Sequence, residues 1–110
     1  VAKDTVIKVV RYFETCLRKG GVNISKIILF GSQAKGQATE ESDIDIAVVS
    51  KDFEDKDIFE RARLTKEAEI MTIKKFMLPL DIITMTPEEF ESETSLIADY
   101  AREGEVVYAR

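Results

Sequence analysis

Histidine is missing from this chain, and cysteine occurs once, at Cys16. Without histidine there is no Ser-His or Cys-His nucleophile pair and no His-ligated zinc. Acid–base work then falls to carboxylate, lysine or tyrosine. A lone cysteine forms no disulfide within the chain and no cysteine zinc cluster, and it fits a reducing, cytoplasmic setting. No apolar run reaches membrane-spanning length, and the first residues, Val1-Ala2-Lys3-Asp4, lack the form of a signal peptide. Positive charge is also in short supply: 16 Lys and Arg stand against 21 Asp and Glu, a net charge of −5. That argues against a broad DNA or RNA footprint, so direct nucleic-acid binding is not expected, although a small local basic site is compatible with it. Carboxylates are plentiful, and they are the ligands that hard cations prefer.

What is present is an ordinary globular composition, 45% hydrophobic and 34% charged over 110 residues. It predicts one domain spanning residues 1–110, large enough for one core, with any cleft close to the surface. Val6, Val9, Val10, Phe13, Cys16 and Leu17 recur at helical spacing from about Asp4 to Lys19, and Gly20-Gly21 stops the helix. Cys16 is expected in the core on that face. Lys26-Ile27-Ile28-Leu29-Phe30 reads as a buried strand, and Ile44 to Val49 as a second one. Lys51 to Asp57 reads as a charged loop. Asp57 and Glu60 form a capping-box start for a helix to about Lys75, with Phe59, Ala62, Ala68, Met71 and Phe76 as its apolar positions. Pro79 leads into a third strand, Leu80 to Thr84. Thr86-Pro87-Glu88-Glu89 starts another helix, which runs with room for a break to about Arg102; Gly104 stops it, and Val106 to Tyr108 is a short last strand. The order predicts an α/β (α+β) domain, a small mixed β-sheet with helices packed on it.

The chemistry concentrates between Gly31 and Asp45, in GSQAKGQATEESDID. Gly31 and Gly36 have the separation of the G-x-x-x-x-G-K-[ST] phosphate loop, but Gln37-Ala38 occupies the Lys and Ser/Thr positions, so that loop is rejected. A strand ending at Phe30 and turning at Gly31 offers free backbone N–H groups to an anion, and the Ser32 hydroxyl adds a donor. An ordinary turn accounts for Gly-Ser equally well. Asp43 and Asp45 add a second element. Two apart on a strand, they project from one face about 7 Å apart along the backbone. Such carboxylates repel unless one is protonated or a cation lies between them, and Mg2+ is commonly completed by substrate phosphates. Asp81 interrupts an apolar strand. It either joins the other two aspartates from a neighbouring strand or reaches water at a sheet edge. Three carboxylates beside a phosphate turn would suit in-line displacement at phosphorus.

Gly31-Ser32, Ser42-Asp43-Ile44-Asp45-Ile46 and the later Asp81 together resemble the nucleotidyltransferase superfamily that includes DNA polymerase β. The short chain and the ending Glu103 to Tyr108 resemble its minimal nucleotidyltransferase branch, whose members are often encoded beside a helical HEPN-domain toxin. The resemblance implies a polymerase β palm-like fold. It implies that Gly31 and Ser32 hold the β- and γ-phosphates of ATP, with Lys35 and Ser42 among the nucleotide-binding residues. Asp43 and Asp45 would ligate Mg2+, with two ions at the site, and Asp81 would complete the metal site or deprotonate the acceptor. The implied reaction moves AMP to a hydroxyl, a tyrosine of a partner HEPN toxin, in an antitoxin role. Alternatives are a non-catalytic module that neutralises its partner by occlusion, and a small-molecule nucleotidyltransferase of the aminoglycoside type. Gln33 departs from the arginine that many relatives carry there, and Lys35 replaces a second arginine, which removes the bidentate fork.

Overall fold

The computed structural model describes residues 3–31, 43–92 and 94–109. Helix α1, Lys3–Lys19, buries Val6, Val9, Val10, Phe13 and Leu17, the stripe its sequence period predicts. Cys16 is only partly buried, packed against the edge of that core. The helix ends in a Schellman-type turn: Gly21 lies at φ 92°, its N–H donates to the Arg18 carbonyl, and the Val22 N–H donates to the Leu17 carbonyl.

Strands β1 (Lys26–Phe30), β2 (Ile44–Val49), β3 (Leu80–Met85) and β4 (Glu105–Ala109) form one sheet in the order β3-β2-β1-β4. The pairs β1–β2 and β1–β4 are antiparallel, while β2–β3 is parallel. A parallel pair needs a crossover, and helix α2, Ile58–Phe76, supplies it. Asp57 caps α2 in a full capping box with Glu60, as the sequence predicts. Thr86 does the same with Glu89 for α3, Pro87–Phe90. The helix expected to reach Arg102 breaks after Phe90 and restarts as α4, Leu96–Arg102, because the Ser95 side chain caps a new start by accepting from the Ala98 N–H.

The sheet separates two clusters of buried residues. On one face Ile27, Leu29, Ile44, Ile46 and Val48 meet α1 and Ala68 of α2. On the other, Ile28, Phe30, Ala47, Val49 and Met85 meet Phe90, Ala98 and Ala101 of α3 and α4. Strand alternation thus sends Ile44 and Ile46 to the first face and Asp45 to the second.

Two expectations change. The charged loop after β2 contains a short 3-10 turn, Lys51–Phe53, that Ser50 caps and that buries Phe53 completely. Helix α2 only partly follows its apolar residues: Ala68 is buried and Phe76 packs against the core as expected, but Phe59 is 75% exposed and Met71 44%. Thr65 and Thr72 are buried beside Ala68. The threonine hydroxyls lose nothing by burial, because they donate to the carbonyls of Ala62 and Ala68 one turn back.

Candidate functional site

The parallel pairing of β2 and β3 sets Asp45 directly beside Asp81. Both strands begin together, since the Ile44 N–H donates to the Pro79 carbonyl over 3.0 Å. Asp43, the residue before β2, precedes Asp45 by the two positions that return a side chain to the same face. On the other flank the cross-strand partner of Asp45 is Phe30, the last residue of β1. Gly31 follows, in the left-handed region at φ 71°. A Cβ there would lie 2.2 Å from Asp45 Oδ2, so only glycine lets the turn close over this carboxylate. The turn and the acidic pair, read separately in sequence, are therefore in contact.

Asp43 and Asp81 are exposed, and Asp45 is half-buried. Burial pushes the Asp45 carboxyl above its ordinary value, and the negative charges of Asp81 and Asp43 push it further, as does a hydrogen bond with Asp81. Among the described residues none of the three is in a salt bridge. The cluster thus carries negative charge with no cation supplied by those residues.

Glu69 is the acidic neighbour that sequence reasoning missed. It lies on α2, lines a cavity of about 220 Å3 with Asp81, Thr65 and Leu80, and is raised above the usual carboxylate range by burial and then by the charge of Asp81. Its signal was positional. Glu69 is one turn from both Thr65 and Thr72, but that side reads as polar until the threonines prove to be buried. A larger cavity, about 460 Å3, lies between α1 and α2 around Tyr12, Cys16 and Met71 and contains none of the aspartates. Charge and strand register converge at the aspartates and not around the larger space.

Among the described residues, no three acidic side chains enclose an ion by themselves. The donor set still fits Mg2+, which binds through one or two carboxylates and takes its remaining ligands from water and substrate phosphate. A dedicated all-protein cage for a larger cation does not fit it. Ser32, Gln33, Lys35 and Ser42 lie outside the described residues, so of the sequence-predicted set the structure brings together Gly31, Asp43, Asp45 and Asp81.

A family model described as polymerase beta nucleotidyltransferase matches residues 14–110. A Methanocaldococcus jannaschii protein named as a candidate protein adenylyltransferase is 28% identical over 101 residues, covering 90% of this chain and 68% of that protein. A second protein of that organism, named in the same way, is 54% identical over 43 residues, 38% of this chain and 43% of its own. Among solved structures, a candidate nucleotidyltransferase from Sulfolobus solfataricus superposes with a TM-score of 0.71 at 20% identity, over 98% of this chain and 84% of that one. A toxin–antitoxin structure with AMP-PNP superposes with a TM-score of 0.63 at 21% identity, over 100% of this chain and 75% of that one. At these identities the structural matches establish the fold. No described helix is long and apolar enough to cross a membrane.

Proposed function

The chain belongs to the polymerase beta nucleotidyltransferase family, and on that premise we propose that it transfers AMP from ATP to a hydroxyl of a partner protein. The observation that carries the reading is the row Asp81–Asp45, closed on one side by Gly31 and headed by Asp43. Asp43, Asp45 and Asp81 would hold Mg2+, which when bound neutralises the charge of the triphosphate oxygens. Gly31 and Ser32 would hold the triphosphate through backbone N–H and hydroxyl donors, with Lys35 and Ser42 as further nucleotide contacts. Asp45 fixes the position of the reacting phosphate relative to the turn, since its carboxylate packs on Gly31. Asp81, exposed at the edge of the sheet, is the carboxylate placed to receive a proton from an incoming hydroxyl. The acceptor oxygen then bonds to the α-phosphorus, the bond to the bridging oxygen breaks, and pyrophosphate leaves.

A protein acceptor is favoured by the names of the Methanocaldococcus relatives. A toxin partner is favoured by the toxin–antitoxin structure with AMP-PNP. Within that class we assign the acceptor as a tyrosine of a HEPN-domain toxin and the outcome as neutralisation. The test is Mg2+-dependent transfer of label from α-labelled ATP to the product of the neighbouring gene, with intact-mass analysis of that product. An AMP-sized increment is expected, and it should vanish with Asp43→Asn and with Asp45→Asn. Undiminished transfer by both variants would refute the site, and neutralisation without any mass increment would favour occlusion.

A further inference from the structure

The register lines up three positions across the sheet. Phe30 of β1 stands opposite Asp45 of β2, and Asp45 stands opposite Asp81 of β3. Gly31 closes on the Asp45 carboxylate from the β1 side. At the other end of the row β3 is an edge strand, with no described strand beyond it. Asp81 acts on both sides of that edge. It hydrogen-bonds with Asp45, and its charge reaches Glu69 on α2, the helix that packs on the opposite face of the sheet.

The cavity of about 220 Å3 that Asp81 shares with Glu69 lies between β3 and α2. Its α2 wall is a single stripe, since Ile58, Ala62, Thr65 and Glu69 recur at helical spacing. The Thr65 hydroxyl donates to the Ala62 carbonyl. Ile58, Ala62 and Ile82 give the cavity apolar walls, and Asp81 and Glu69 are the charged residues that line it. Two carboxylates repel an anionic phosphate and accept hydrogen bonds, so the group that suits them is a neutral donor such as a hydroxyl. The volume falls below the roughly 300–1,000 Å3 of pockets for drug-sized ligands, which leaves room for one side chain and not for a nucleotide.

In-line displacement at phosphorus sets the attacking oxygen opposite the leaving one. With the triphosphate held at Gly31, pyrophosphate leaves toward β1 and the attacking oxygen comes from the side of β3. We propose that the cavity between α2 and β3 is the acceptor pocket, a role that rests on the AMP-transfer reading above. Its occupant is a side chain of the partner protein with an apolar body and a terminal hydroxyl. The body lies against Ile58, Ala62 and Ile82, and the oxygen lies at Asp81. That oxygen bonds to the α-phosphorus, the bond to pyrophosphate breaks, and the hydroxyl proton passes to Asp81. Ile58, 73% exposed, gains cover when the partner is seated.

Ala62 is exposed on α2, so a larger side chain there fills the cavity without overpacking the core. Ala62→Trp should lower kcat/KM for label transfer to the product of the neighbouring gene by about 10- to 200-fold, the range over which the fit of a pocket discriminates side chains. Calorimetric titration of the same variant with Mg·ATP should stay within about twofold of the wild type, because the triphosphate lies on the far side of Asp45. Ala62→Ser, of similar size, and Lys66→Trp, exposed on the same helix outside the cavity, should both transfer like the wild type. Equal transfer by Ala62→Trp and the wild type overturns the proposal and leaves AMP transfer standing. The proposal is also overturned if Mg·ATP binding by Ala62→Trp falls as far as transfer does, or if Lys66→Trp loses transfer to the same degree. Absence of transfer by the wild type would overturn the AMP-transfer reading and this one with it.

Discussion

Asp45→Asn should make the protein more stable while disabling it. The wild-type carboxylate is held beside Asp81 by the strand register and near Asp43 by the strand period. Adjacent strands put the two charges at about 5 Å, where Coulomb repulsion amounts to about 0.8 kcal/mol in water and about 3 kcal/mol at an effective dielectric of 20. Asp43 and Asp81 are exposed, so solvent screening pulls the gain toward the lower end, about 1 kcal/mol. For a domain of this size that is a rise in Tm of about 4–8 °C. Asparagine keeps the shape and offers an N–H to Asp81 in place of the proton. The assay is thermal unfolding in EDTA at pH 7, followed by the same scan with Mg2+. Added Mg2+ should raise the wild-type Tm and move the variant less. The sign of the pH dependence follows from the raised carboxyl of Asp45. Its folded state holds the proton more tightly than the unfolded chain, so stability is lost as pH rises from the ordinary value of 3.8 through the raised one, and is level beyond it. The wild type and the variant should therefore converge below that window and separate above it. A variant that melts at or below the wild-type temperature in EDTA at pH 7 would refute the reasoning.

Three further perturbations test other parts of the structure. Gly31→Ala forces a side chain into the left-handed region and against Asp45 Oδ2. It should cost about 1–2 kcal/mol of stability and remove Mg2+-dependent AMP transfer, measured by chemical unfolding and label transfer side by side. Gly104→Ala drives a Cβ into the backbone carbonyl of Leu29, and denaturant titration should register a loss of about 1–3 kcal/mol, the usual cost of overpacking. Met77→Gly should act in the opposite direction. Met77 caps the C-terminus of α2 at φ 54° and is 79% exposed, so glycine relieves a left-handed cap without emptying the core and should raise stability by about 1 kcal/mol.

Much of this molecule is legible before any coordinates. The strands Lys26–Phe30 and Ile44–Val49 stand where the β-branched runs place them, and the capping boxes at Asp57 and Thr86 form as their spacing demands. These are local effects: a cap or a strand period is fixed by residues within a few positions of one another. The Gly-Ser and Asp-x-Asp pattern was likewise sufficient to indicate the nucleotidyltransferase resemblance. Helix α2 shows where local reading stops. Ala68 is buried as an apolar count selects, but Thr65 and Thr72 are buried beside it while Phe59 is exposed, because a hydroxyl bonded to its own helix can be buried without loss.

By itself the sequence determined the elements, the acidic pair and the family pattern, since each depends on short-range spacing. Only the tertiary structure decided that Asp81 stands beside Asp45, that Gly31 closes on that carboxylate, that Glu69 comes near Asp81 from α2, and that Tyr100 of α4 meets Phe30. Those meetings depend on strand order and on close approach at Ala98, Ala101 and Gly104. Both are set by how the two faces of the sheet are covered, a property of the packed chain that no short stretch of residues contains.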